Sequence, residues 1–264
     1  MMEKLPAKVG WLWIKEGFAL FRKQPAELTT LFFGYMFAML VIGLIPLLGQ
    51  VLPLILIPIF SMTFMQACAY VEAGRKVYPN LLLVGFRATQ ARTLFLLGLL
   101  YLLAAVIAIG ASAIIDGGVF WHAITGRMAV SEETVHTTHI SLAMLFAALL
   151  YTPAAMAFWY AAPLITWQDM GLGKAVFFSF FAVGKAGKAF IVFGLAWIAL
   201  NIVLPAVVSM LVGMLTGSAT AAMFTMLPLS VVLTVIMYCS FYPTYTRIFG
   251  DPPDFSLPPA AAAV

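Results

Sequence analysis

Three histidines, His122, His136 and His139, gather between residues 116 and 140 with Glu132 and Glu133 beside them. The spacing His136-Thr-Thr-His139 puts two imidazoles on one helical face, as a zinc-type site requires. Two neighbouring ligands and a nearby carboxylate fall short of a full ligand set, while Ser131 or Thr138 fits a helix cap. His136 and His139 stand as metal candidates, and no cofactor is expected. The sequence contains no nucleophile elbow, HExxH, Walker loop, GxGxxG or CxxC. It is therefore read as non-enzymatic.

A second set of polar groups lies in or at the ends of long apolar runs. Glu72 and Asp169 each precede a glycine at the end of such a run, where a carboxylate opposes the helix dipole and wants a cationic partner. Gln66 and Asn201 lie deeper, and interhelical hydrogen bonding is their expected role. Asn201 also stands four residues before Pro205, where its side chain can meet backbone groups freed by a kink. The two cysteines, Cys68 and Cys239, fall within apolar runs and are read as reduced packing residues.

The elements that carry these groups must be membrane-spanning helices. Hydrophobic residues make up 64% of the 264-residue chain and charged residues 9%, against roughly 25% charged in soluble domains; mean hydropathy is +1.05. A helix crosses the hydrocarbon with about 20 apolar residues, because unpaired backbone groups there are costly. Six stretches qualify, near residues 28–48, 52–72, 94–115, 141–167, 189–213 and 221–246. Apart from Glu72 they hold no Asp, Glu, Lys, Arg or His, which argues against a proton relay or a path for charged substrates. The fold class is thus all-α, a polytopic bundle forming one membrane domain over 1–250, with 251–264 a disordered tail. Charged residues precede the first span, which reads as an uncleaved signal anchor.

All but one of the 14 Lys and Arg fall on one side of these spans, with only Arg127 opposite. The positive-inside rule then places both termini in the cytoplasm. The basic residues are dispersed rather than gathered in a tract, so an anionic leaflet, and not nucleic acid, is the expected partner.

Segments 8–24, 80–92 and 173–188 precede the first, third and fifth spans and read as amphipathic interfacial elbows. In the first, Trp11, Ile14, Phe18 and Phe21 form an apolar face, with Lys8, Lys15 and Arg22 on another. Lys15, Arg22, Lys23, Arg87, Arg92, Lys185 and Lys188 are the expected lipid-headgroup contacts. Phe21 to Gly34 and Phe181 to Gly194 have equal spacing, and Cys68-Ala69-Tyr70 and Cys239-Ser240-Phe241 take comparable places in their spans. This points to three copies of one elbow-span-span unit. Pro58, Pro153, Pro163, Pro205, Pro228 and Pro243 favour kinks in spans two, four, five and six. The small residues Ala104, Ala108 and Ser112 suggest that the third span is interior.

Gly10-Trp11-Leu12-Trp13, the run from Phe18 to Pro25, Ile45-Pro46-Leu47, Asp116-Gly117-Gly118 and Ser240-Phe241-Tyr242-Pro243 together resemble a family of uncharacterised proteobacterial inner-membrane proteins, over residues 5 to 250. More distantly, the elbow-plus-span layout resembles the membrane domain of some glycerophosphodiester phosphodiesterases, which implies lipid-related work by fold alone. The leading expectation is a scaffold or assembly factor that binds a protein partner and is held by its basic elbows. A transporter or lipid-handling permease is the alternative, and a membrane enzyme using the exterior histidines the third.

Overall fold

A computed structural model describes residues 5–46, 48–49, 51–129, 131, 134 and 138–252. His136, Glu132, Glu133 and the tail from 253 onward lie outside the described residues. The order of elements is α1 (Lys8–Lys23), α2 (Pro25–Gly43), α3 (Leu52–Glu72), a 3-10 turn (Pro79–Leu83), α4 (Val84–Arg87), α5 (Ala91–Asp116) and α6 (Val119–Ile124). Then follow α7 (Ile140–Phe158), α8 (Ala161–Trp167), α9 (Leu172–Lys185), α10 (Gly187–Thr216) and α11 (Ala219–Phe249). The fold is an all-α bundle. Among the described residues six helical segments are long and apolar enough to cross a membrane, namely α2, α3, α5, α7 with α8, α10 and α11.

Helix ends follow local chemistry. Pro25 opens α2, where its missing N–H would have been unpaired anyway. Asp116 ends α5 and turns the chain, its carboxylate accepting from the N–H of Gly118 at 2.9 Å and of Phe120 at 2.7 Å. Gly117 and Gly118 there have φ of 66° and 93°, left-handed values that a glycine adopts without strain.

Burial identifies the centre of the bundle. Within its most apolar window α3 is 78% buried, whereas the other spans range from 11% to 28%. The small-residue stripe of α5 is partly inside, with Ala108 and Ser112 buried, yet α3 is the most buried of the spans. Close approach is achieved with glycine. A Cβ on Gly98 of α5 would overlap the carbonyl of Ile55 in α3, and one on Gly10 of α1 would overlap the carbonyl of Ala189.

The three segments before the odd spans differ in build. In α1, Trp13 and Ile14 are buried in a cluster with Phe193, Trp197 and Ile236, so this face packs on α10 and α11. The second comprises the 3-10 turn and the four-residue α4, while α9 is a regular helix with Phe177 and Phe181 exposed.

One end of the bundle is stitched by polar side chains. Lys23 Nζ lies 2.9 Å from Glu72 Oε2, and Arg247 pairs with Glu16. Gln24 donates to the carbonyl of Arg75 and accepts from the N–H of Val77. Gln90 Nε2 donates to Asp169 Oδ1 at 2.7 Å. These contacts gather the ends of α1, α3, α8 and α11, and we call this the charged end.

Candidate intramembrane site at a broken helix

The fourth span is interrupted between α7 and α8, at Trp159 and Tyr160. Pro163 has no N–H to offer the carbonyl of Trp159, and its ring crowds that turn. The five other intraspan prolines sit inside continuous helices. What distinguishes the break is Ser179 of α9, which is fully buried. Its hydroxyl accepts from the N–H of Tyr160 at 2.9 Å and donates to the carbonyl of Met156 at 2.9 Å. A side chain from a neighbouring helix therefore satisfies two backbone groups at the break, the Tyr160 N–H and the Met156 carbonyl, in place of their mutual helical bond.

Beside the break, α3, α5, α7, α8 and α11 line a half-open cavity of about 340 Å³, within the roughly 300–1,000 Å³ of small-molecule sites. Aromatic rings dominate its wall. Phe64 and Tyr238 stack with ring centroids 4.4 Å apart, as do Tyr101 and Phe158. Several polar groups on the wall are engaged by the protein. Tyr101 donates to the carbonyl of Phe158 at 3.3 Å, Tyr160 to that of Thr244 at 3.2 Å and Ser61 to that of Pro58 at 2.9 Å. The surface left to an occupant is therefore largely apolar. Ala155 and Pro163 complete two sides, and the small Ala155 leaves room that a larger residue would fill.

A second space, about 400 Å³, opens at the charged end among Glu16, Lys23, Glu72, Tyr242, Arg247 and Asp251. Phe241 faces the aromatic cavity and Tyr242 the charged one, so both lie along α11.

The residues singled out in the sequence take other places. Gln66 is buried and accepts from Trp167 Nε1 at 3.2 Å, while its Nε2 has no hydrogen-bond partner among the described residues. Asn201 donates to the carbonyl of Trp197 on its own helix at 2.9 Å; the carbonyl that Pro205 leaves without a donor is Asn201's own. Neither residue lines the cavity. Lys15, Arg22, Lys23, Arg87, Arg92, Lys185 and Lys188 are all exposed, and Lys23 is in the pair with Glu72. Asp169 has Gln90 rather than a cation as its hydrogen-bond partner. His139 is exposed before α7, and the described residues contain no group of three or more His, Cys, Asp or Glu able to hold a metal.

Sequence reasoning missed the cavity. Its signals were Pro163 within Trp-Tyr-Ala-Ala-Pro and the hydroxyl of Ser179 among the phenylalanines of α9. Neither reveals its partner without the three-dimensional arrangement.

A protein of Burkholderia thailandensis described as a probable inner membrane protein is 38% identical over 252 residues, covering 94% of this chain and 93% of the relative. No family model and no solved structure matches the chain. The relative agrees with the resemblance to inner-membrane proteins and carries nothing toward glycerophosphodiester phosphodiesterases.

Proposed function

The chain belongs to the family of inner-membrane proteins that includes this Burkholderia relative, and we propose that it handles a lipid or another apolar molecule within the bilayer. It is a multi-pass inner membrane protein. The observation that carries the reading is the aromatic cavity built against an interrupted span. Transport proteins place substrate sites where discontinuous helices meet at membrane depth. Here the interruption is sealed by Ser179, and the adjoining wall is apolar. An acyl or prenyl chain matches that wall better than an ion or sugar, whose polar groups would find few free partners. The molecule sits with both termini in the cytoplasm, and its exposed basic residues meet the anionic leaflet.

Purification in nanodiscs made directly from native membrane, followed by mass spectrometry of the retained lipids, tests this. One lipid class should be enriched over bulk membrane and lost on Ala155→Trp. A lipid profile equal to bulk membrane in both proteins would overturn the reading.

The scaffold reading is favoured by a different feature. Phe177, Phe178 and Phe181 line an exposed apolar recess on α9 beside Lys185, a surface suited to a membrane-embedded helix of a partner. A stoichiometric protein recovered from the same nanodiscs, and lost on Phe177→Ser with Phe181→Ser, would favour this reading over lipid handling.

A further inference from the structure

One side of α7 runs along the cavity up to the break. Tyr151, Ala155 and Trp159 stand at i, i+4 and i+8, and all three line the cavity, so they follow one another along that side. Tyr151 and Trp159 each bring one hydrogen-bond donor, and Ala155 between them presents only a methyl group. Ser61, Tyr101 and Tyr160 give their hydroxyl protons to backbone carbonyls. The hydroxyl of Tyr151 and the indole N–H of Trp159 have no hydrogen-bond partner among the described residues. The Trp159 ring is fixed in direction, because it stands edge-on to Phe190 and Phe241 with centroids 5.2 and 5.0 Å away. Flat surfaces complete the wall, where the rings of Phe64 and Tyr238 lie 16° from parallel and those of Tyr101 and Phe158 lie 17° from parallel.

Starting from the reading that the cavity admits apolar molecules, we propose that its occupant is the ring of a prenylated 1,4-quinone, with one carbonyl accepting from Tyr151 and the other from Trp159. A 1,4-quinone carries its two acceptors on opposite edges of one flat ring and has no donor of its own. That pattern matches two donors at the ends of a helix face whose middle is a small residue. The ring takes the room that Ala155 leaves, and its faces stack on the aromatic wall in offset geometry. The prenyl tail meets the aliphatic part of the wall, at Ile57, Met65 and Met237. An acyl chain would fill the same volume and leave both donors unpaired in an apolar site, where an unmade hydrogen bond is costly.

The full chain in phosphatidylcholine nanodiscs is irradiated with a photoreactive azidoquinone carrying a decyl tail, and the labelled residues are mapped by mass spectrometry. Labelling should fall on α7 between Tyr151 and Trp159, and an excess of decylubiquinone should remove it. Decylbenzene keeps a flat ring and the tail but has no carbonyl; halving the labelling with it should take about tenfold more or beyond, for two hydrogen bonds lost. Tyr151→Phe deletes one donor and keeps the ring. The decylubiquinone concentration that halves labelling should then rise about three- to tenfold, while that of decylbenzene stays the same. Decylbenzene competing as well as decylubiquinone, or Tyr151→Phe binding quinone as tightly as wild type, would overturn the quinone assignment. An equal shift for both competitors would show a distorted cavity and overturn Tyr151 as the donor. The apolar site itself would survive these results if a fatty-acyl probe still labelled the cavity wall, and would fall with them if neither probe did.

Discussion

Lys23 at the end of α1 is 2.9 Å from Glu72 at the end of α3, so a residue of the first amphipathic segment grips the most buried span. The side chains are 49% and 54% exposed. A pair this open contributes about 0–1 kcal/mol and weakens in salt. Glu72→Gln should lower the midpoint of thermal unfolding slightly at low ionic strength, and the difference from wild type should vanish in molar salt. A large loss that salt does not erase would show that Glu72 does more than pair with Lys23.

Gly98 should tolerate no side chain. A Cβ there meets the carbonyl of Ile55, which belongs to the backbone of α3 and cannot rotate away. Gly98→Ala is expected to cost about 1–3 kcal/mol through overpacking. Gly110 on the same helix has nothing within 4 Å; alanine there should be neutral or slightly stabilising, since alanine is the better helix former. Unfolding in detergent of the two variants side by side reads the contrast, and equal behaviour would contradict the close α3–α5 contact.

Ser179 should matter more than its size suggests. Ser179→Ala leaves the Tyr160 N–H and the Met156 carbonyl without their partner, at a cost of about 1–3 kcal/mol. Ser240→Ala is a fair comparison, because that hydroxyl only back-bonds the carbonyl of Met237 in its own helix. The expected readout is faster backbone hydrogen exchange confined to residues 156–164 in Ser179→Ala. Unchanged exchange there would remove Ser179 as the seal.

Topology can be read independently. An alkaline phosphatase fusion at Ala129 should be active and one at Gly171 inactive if Arg127 marks the periplasmic side. The reverse pattern would invert the orientation that the basic residues imply.

The spans were legible because lipid imposes one simple requirement, a long apolar run with its backbone paired internally, and the run 94–115 meets it visibly. The central position of α3 was not legible. Its apolar residues resemble those of α5, and only packing distinguishes a face toward protein from one toward lipid. The small stripe of Ala104, Ala108 and Ser112 pointed to an interior face of α5, where Ala108 and Ser112 are buried, and carried no signal about α3. Pro163 announced a disturbance, but five other prolines did as well, and the deciding residue, Ser179, comes from another helix.

The central claim is that an apolar chain occupies the cavity beside the broken span. A fatty-acyl probe with a photoreactive diazirine near its terminal methyl, equilibrated with the protein in nanodiscs and then irradiated, reads that occupancy residue by residue. Labelling should concentrate on Phe64, Met65, Tyr151, Phe158, Tyr238 and Phe241, which line the cavity, and fall sharply in Ala155→Trp. Labelling spread over outward residues such as Ile191, Leu195 and Ile202, with none in the cavity wall, would contradict it.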